Sequence, residues 1–382
     1  MKNFIIVLSI GILVTACGDN KTKTNVENLT IDEQATQETK VLYYNLKELA
    51  KTKILYGHQD DLAYGYSWWA EPGRSDVKES TGSYPAVYGW EIGDLRQDVD
   101  VTLDSVNFES IKGWIKEAYE RGGINTISWH MNHPVTDGDS WDTTPGVSAI
   151  LPGGAEHDKF NTWLDKFAAY VKDMKGENGE LIPIIFRPYH EHTGSWFWWG
   201  DDQTSVEDYV TLWRYTVEYL RDEKKVHNLL YTYSPDGGSR FDKYMEKYPG
   251  DDYVDILALD DYGSFMNQQN NTEQLSNDLA QVVEWAEEKN KIAAFAETGL
   301  EALTNPNWFT ESLYPALTIN PKAKGIAYVV TWRNANFEKE QRDHFYAAHP
   351  DHESASDMKV FRDKDLIVFE DELPNLYTKN SN

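Results

Sequence analysis

The sequence predicts an α/β fold, a single-domain (β/α)8 barrel, on three observations. Eight short, nearly continuous apolar runs recur along the chain. Amphipathic helical stretches lie between most of them. Polar, titratable and aromatic residues crowd the positions directly after the runs. The runs are 54–58, 86–90, 124–130, 182–187, 229–233, 254–259, 292–296 and 326–330. Apolar on both faces, they suit parallel strands covered on each side. Among the helical stretches, 105–121 sets Val106, Ile111, Ile115 and Ala118 on one face, and 162–174 fits the same template. Stretch 205–221 opens on Thr204-Ser205-Val206-Glu207, a capping-box pattern. Stretch 273–289 spaces Leu275, Leu279, Val282, Val283 and Ala286 as a helix does. Residues 60–85 show no clear helix, so a long loop rich in Trp, Tyr, Gly and Pro is expected there; 132–158 reads as a second long loop. Eight such units point to a closed barrel, with a doubly wound open sheet as the alternative, since periodicity does not decide closure.

The first 17 residues read as an export signal. Lys2 gives a positive start, 4–14 is an apolar run too short to span a bilayer, and Thr15-Ala16-Cys17-Gly18 ends it. The segment resembles a bacterial lipoprotein signal, which implies that Cys17 is lipidated and holds the protein on a membrane through acyl chains alone. Cys17 is the sole cysteine, so no intramolecular disulfide is expected. Residues 18–35 are polar, lack aromatics and read as a flexible tether, leaving 36–382 as the barrel domain. A net charge of −27 argues against nucleic acid or an anionic membrane surface as partner. Fourteen Trp and 23 Tyr in an acidic, exported chain suggest a sugar ligand, because pyranose faces stack on aromatic rings. No cofactor and no metal are called for, and a monomer is expected.

In a parallel barrel, function sits at the C-terminal ends of the strands. Two carboxyls stand out there, Glu191 after the fourth run and Glu297 after the seventh. Glycoside cleavage needs such a pair. One is protonated and donates to the leaving oxygen; the other is ionised and attacks the anomeric carbon, at about 5–5.5 Å from the first in a retaining enzyme. The bland reading of either Glu is an ion pair, for instance with Arg187. Two other classes compete. His190-x-His192 and His130-x-x-His133, with Asp60 and Asp260, mimic a metallohydrolase ligand set. A non-catalytic glycan-binding lipoprotein would need the aromatics but not two opposed carboxyls.

Residues 187–200, Arg-Pro-Tyr-His-Glu-His-Thr-Gly-Ser-Trp-Phe-Trp-Trp-Gly, resemble the acid/base segment of glycoside hydrolase family 26, and Ala296-Glu297-Thr298-Gly299 looks like its nucleophile segment. The resemblance runs from about residue 40 to about 360. It implies a retaining β-mannanase with Glu191 as acid/base and Glu297 as nucleophile. It further implies that His190 hydrogen-bonds in the cleft, that Tyr262 contacts the nucleophile, and that Trp196 lies on the leaving-group side. His130 matches the family's His on strand three; Trp141 and Arg333 would bind sugar on the non-reducing side. Asp260 carries over less firmly, as Asp261 is equally placed. Of Trp196, Trp198 and Trp199, at least one should face a ligand. Trp90-Glu91 departs from the Asp expected after the second strand. β-Mannan is the implied substrate, with mixed-linkage β-glucan and β-1,3-xylan as alternatives, and endo or exo action left open. Glu191 should titrate high in its apolar, Trp-lined setting beside Glu297.

Overall fold

The structure, a computed structural model, describes residues 29–96, 99–268 and 271–378. The export signal, Cys17 and residues 18–28 of the expected tether lie outside the described residues. Eight parallel strands form the barrel: β1 (Ile54–Gln59), β2 (Val87–Glu91), β3 (Ile124–Ser128), β4 (Ile184–Arg187), β5 (Leu229–Tyr233), β6 (Ile256–Asp261), β7 (Ile292–Thr298) and β8 (Ile326–Thr331). Each pairs with the next. β8 pairs back to β1 from Leu55↔Tyr328 to His58↔Thr331, which closes the barrel and settles the alternative of an open sheet. A short ninth strand, β9 (Ile367–Val368), adds to β1 from outside the ring.

Each of the eight runs forms a strand, with shifts at the ends. β4 starts at Ile184, after Pro183, which has no N–H for the ladder. β6 and β7 run further than their apolar runs and take in Asp260, Asp261 and Glu297. The β6–β7 register slips between Leu259↔Phe295 and Asp260↔Glu297, so Ala296 is an extra residue that brings Glu297 level with Asp260.

Helix α1 (Gln37–Leu49) precedes the barrel, and α2 (Phe108–Glu120), α3 (His157–Asp173), α4 (Val206–Glu218) and α5 (Thr272–Glu288) carry most of the outer layer. The cap falls one residue later than the Thr204–Glu207 pattern places it: the Ser205 hydroxyl accepts from Asp208 N–H and caps α4. α3 starts five residues before the expected stretch. Residues 60–85 are not wholly loop. They hold a hairpin of Tyr64–Gly65 with Trp68–Trp69 and a six-residue helix, Asp76–Thr81, capped by Ser75. Six residues are too few for periodicity to register. Residues 132–158 are loop apart from the single turn Val147–Ile150 and the first residues of α3.

Two apolar clusters divide the core. One joins the strands to the outer helices. The other fills the barrel with Leu55, Val87, Ile185, Leu230, Ala258, Ala294 and Val330, and continues into Leu42, Tyr43 and Leu46 of α1. The Tyr43 hydroxyl donates to the carbonyls of Asp255 and Asn290, just ahead of β6 and β7. α1 thus plugs the N-terminal end of the barrel and leaves the C-terminal end open.

The tether expectation fails at its last residues. Thr30, Asp32 and Ala35 are buried. Ile31 N–H donates to Asp255 Oδ1 (2.8 Å), and Asp32 pairs with His227 (2.7 Å). Polar residues read as a linker by composition are here held by specific partners.

Candidate active site

A cleft of about 600 Å³ opens at the C-terminal end of the barrel, lined by Glu191, Glu297, His130, Trp141, Trp196, Asp236, Arg240, Tyr262, Trp332 and Tyr346, among others. Both carboxylates picked out in the sequence therefore face the same open space. Glu191 is 7% exposed and Glu297 5%.

Glu191 sits on a tight turn after β4. Its φ is +53° and that of Tyr189 is +47°. A left-handed non-glycine residue costs roughly 1–2 kcal/mol, so the surroundings must hold it. Glu191 N–H donates to Ser234 O (2.7 Å), and the Tyr189 carbonyl accepts from the Tyr209 hydroxyl (2.9 Å). The Trp196 indole N–H donates to Glu191 Oε2 (2.7 Å). Burial pushes the Glu191 carboxyl well above the usual range, and the charges of Glu297, Asp260 and Asp236 push it the same way; the Trp196 bond opposes them.

Glu297 is differently served. The Tyr262 hydroxyl donates to its Oε1 (2.8 Å), and the Arg187 guanidinium to its Oε2. Two donors on two oxygens are what a carboxylate anion accepts. The ion pair with Arg187 that would be the bland reading of a strand-end Glu does form, yet Glu297 still faces the cleft. The other arm of Arg187 bonds Asp260 Oδ2 (2.5 Å). Asp260 is fully buried with Ser234 as its second partner and does not line the cleft; its neighbour Asp261 does. The expected sugar contact at Asp260 is thus corrected: it is a buried anchor for Arg187.

Glu91 explains the departure noted after the second strand. It accepts from His130 N–H (2.9 Å), from the Ser128 hydroxyl (2.8 Å) and from His130 Nδ1 (2.7 Å). Burial lowers the His130 pKa, but the Glu91 carboxylate outweighs it and the net shift is upward. His190 is held well below its ordinary value by burial, with Arg187 and His130 adding to it. The 3.2 Å contact between the two Nε2 atoms then has His130 donating and neutral His190 accepting. His190 lies beneath the cleft surface, not in its lining, while its Nδ1 finds no protein partner among the described residues.

Trp141, half exposed, stacks on His130 at 5.2 Å. Arg333 does not line the cleft; Glu340 (2.6 Å) and Asp104 (3.3 Å) hold its fork, and it is 7% exposed. Trp198 and Trp199 are buried, and Trp196 is the one of the three that faces the cleft. His192 is bonded at both ring nitrogens, by Tyr209 and Tyr233, and so turns away from any shared ligand set with His190. Among the described residues no group of three or more His, Cys, Asp or Glu is disposed to hold a metal ion. Sequence reasoning missed Asp236 and Arg240, on the loop after β5, and Tyr346, beyond β8; none lies in a recognisable motif.

Comparison with known proteins agrees with this geometry. The model of glycosyl hydrolase family 26 matches residues 31–338. A mannan endo-1,4-beta-mannosidase of Bifidobacterium adolescentis is 35% identical over 96% of this chain, which spans 38% of that protein's length. A GH26 beta-mannanase structure from Bacteroides ovatus superposes with a TM-score of 0.85 at 40% identity, covering 91% of this chain and 99% of that one. A GH26C structure from Muricauda sp. gives 0.84 at 34% identity, covering 94% and 98%. With its closed eight-strand barrel and a match across most of its length, the chain belongs to glycosyl hydrolase family 26.

Proposed function

We propose that this protein is a retaining β-mannanase that cleaves β-1,4-mannosidic bonds, with Glu191 as acid/base and Glu297 as nucleophile. The observation that carries the reading is the contrast between two carboxyls in one cleft. Glu191 is buried, accepts from the Trp196 indole and is pushed well above the usual carboxyl range, while Glu297 accepts from Arg187 and Tyr262. In the first step, Glu191 protonates the glycosidic oxygen as Glu297 attacks the anomeric carbon. The resulting ester no longer carries the Glu297 charge. One cause of the high Glu191 pKa then disappears, so Glu191, having given up its proton, stays ionised and is available as the base for the water that completes the second step. His130, Trp141, Trp196, Tyr262 and Trp332 supply the rings and polar groups along the cleft. Mannan, rather than another β-glycan, is supported by the mannanase descriptions of the relatives.

Reducing-sugar release is the test. Glu297→Ala abolishes turnover of every substrate. Glu191→Ala loses on the order of 10²–10⁴-fold on galactomannan, the usual worth of an acid/base group, and far less on an aryl β-mannoside with a good leaving group. Equal losses on both substrates contradict the roles. Wild-type protein that acts on lichenan or β-1,3-xylan but not on mannan contradicts the substrate.

The expected export and lipid attachment at Cys17 form part of the same proposal, since a polymer-cutting enzyme must meet its polymer outside the cytoplasm.

A further inference from the structure

Arg240 occupies a position that the chemistry above does not use. It lies on the short 3₁₀ helix Gly238–Lys243 after β5, with its side chain 43% exposed. Its guanidinium carbon sits 4.9 Å from the centre of the Trp196 ring, and its Nη1 donates to Asp236 Oδ2 (3.0 Å). All three residues line the cleft.

Gly194 shows which part of Trp196 is free. A Cβ built on Gly194 would fall 2.3, 2.4 and 2.5 Å from Cη2, Cζ3 and Cζ2 of the indole. Three near-equal distances to adjacent ring atoms mean that the indole lies flat against the Gly194 backbone. Its second face is therefore the one that can receive a ligand, and with the Gly194 backbone filling the first, the guanidinium over the ring is assigned to the second. The same indole donates to Glu191 Oε2, which fixes it beside the group that protonates the leaving oxygen.

We propose that Arg240, latched by Asp236, is a displaceable cover on the leaving-group subsite, so that a sugar ring stacks on Trp196 only after the guanidinium swings aside. The inference rests on Glu191 being the acid, because that assignment makes the Trp196 side the leaving-group side. Two weak contacts hold the cover, a cation–π contact at a partly exposed site and an ion pair with an open Arg end. Both are of a size that sugar stacking can offset. Such a cover discriminates against leaving groups that cannot stack, and disfavours short substrates relative to longer ones.

The test compares two probes on Arg240→Ala. β-Mannotetraose places a sugar on Trp196; β-mannobiosyl fluoride leaves no ring there and needs little help from an acid. The readout is the ratio of kcat/KM for the tetraose to that for the fluoride. Removing the cover is expected to raise this ratio about threefold to tenfold over wild type, the combined worth of the two contacts, mainly through a lower KM for the tetraose. Arg240→Lys, which keeps the charge but loses the planar group, should fall between. A ratio that falls shows Arg240 to be a grip on the sugar and overturns the proposal, as does an unchanged ratio. Wild-type protein that cleaves neither probe removes the hydrolase reading and this inference with it; wild-type turnover with a falling or flat ratio removes the inference alone.

Discussion

Arg187 ties the two halves of the site together. One guanidinium arm reaches Glu297 and the other Asp260, from residues 110 and 73 positions away in the chain. Such distant pairings leave no mark in a linear pattern, so the sequence shows that Arg187 is near the chemistry but not what it does. Glu191 and Glu297 were legible because each sits at the C-terminal end of an apolar run. Asp260 and Arg333 carried the right residue types at the right strand ends, yet buried ion pairs hold both out of the cleft lining. Residue type and strand position do not reveal which way a side chain is held. A sharper expectation concerns Trp196. Its N–H bond favours the ionised form of Glu191 and works against the upward push of burial. Trp196→Phe keeps a ring and removes the donor, so the Glu191 pKa should rise further. Glu191 must be protonated to act as acid, and the alkaline limb of kcat/KM should therefore move to higher pH. A pH–rate profile checks this; a limb that stays or moves to lower pH contradicts it.

At the scale of elements, apolar runs and helical spacing carried the barrel, because strands buried on both faces and helices buried on one have different periods. The end positions were less legible. The slip between β6 and β7, which brings Glu297 level with Asp260, comes from pairing between strands. α1 was not singled out in the sequence, although it plugs the barrel. Leu46 lies fully buried on it, within the cluster that fills the barrel interior. Leu46→Ala should cost about 2–5 kcal/mol, as truncations of buried leucines do. Chemical denaturation reads this directly, and a loss under 1 kcal/mol would show that α1 is not part of the cooperative core. Activity of the folded fraction should persist, because the plug and the cleft lie at opposite ends.

For the whole molecule, the described chain begins at the end opposite the cleft. Thr36 N–H donates to His227 O ahead of β5, and Ile31 N–H to Asp255 ahead of β6. A chain anchored upstream of residue 29 is thus joined to the plugged end, and the cleft opens on the other side. Composition alone misplaced the domain boundary by several residues, because Thr30 and Asp32 are polar in sequence but buried by partners more than 190 positions away or by their own turn. If Cys17 is the point of lipid attachment, expression in a bacterial host with Cys17→Ala should move the protein from the detergent phase to the aqueous phase in a phase-separation assay. Wild-type protein that already partitions into water contradicts the anchor.

The proposed retaining mechanism requires a carboxylate oxygen of Glu297 to bond to the anomeric carbon. Incubation with a 2-deoxy-2-fluoro-β-mannosyl fluoride, which forms the ester and slows its hydrolysis, followed by peptide mass mapping, tests it most directly. The expected result is one added fluoromannosyl group on the peptide carrying Glu297, lost again when the probe is washed out. A label on Glu191 or Asp260, or turnover with inverted anomeric configuration and no label, would contradict it.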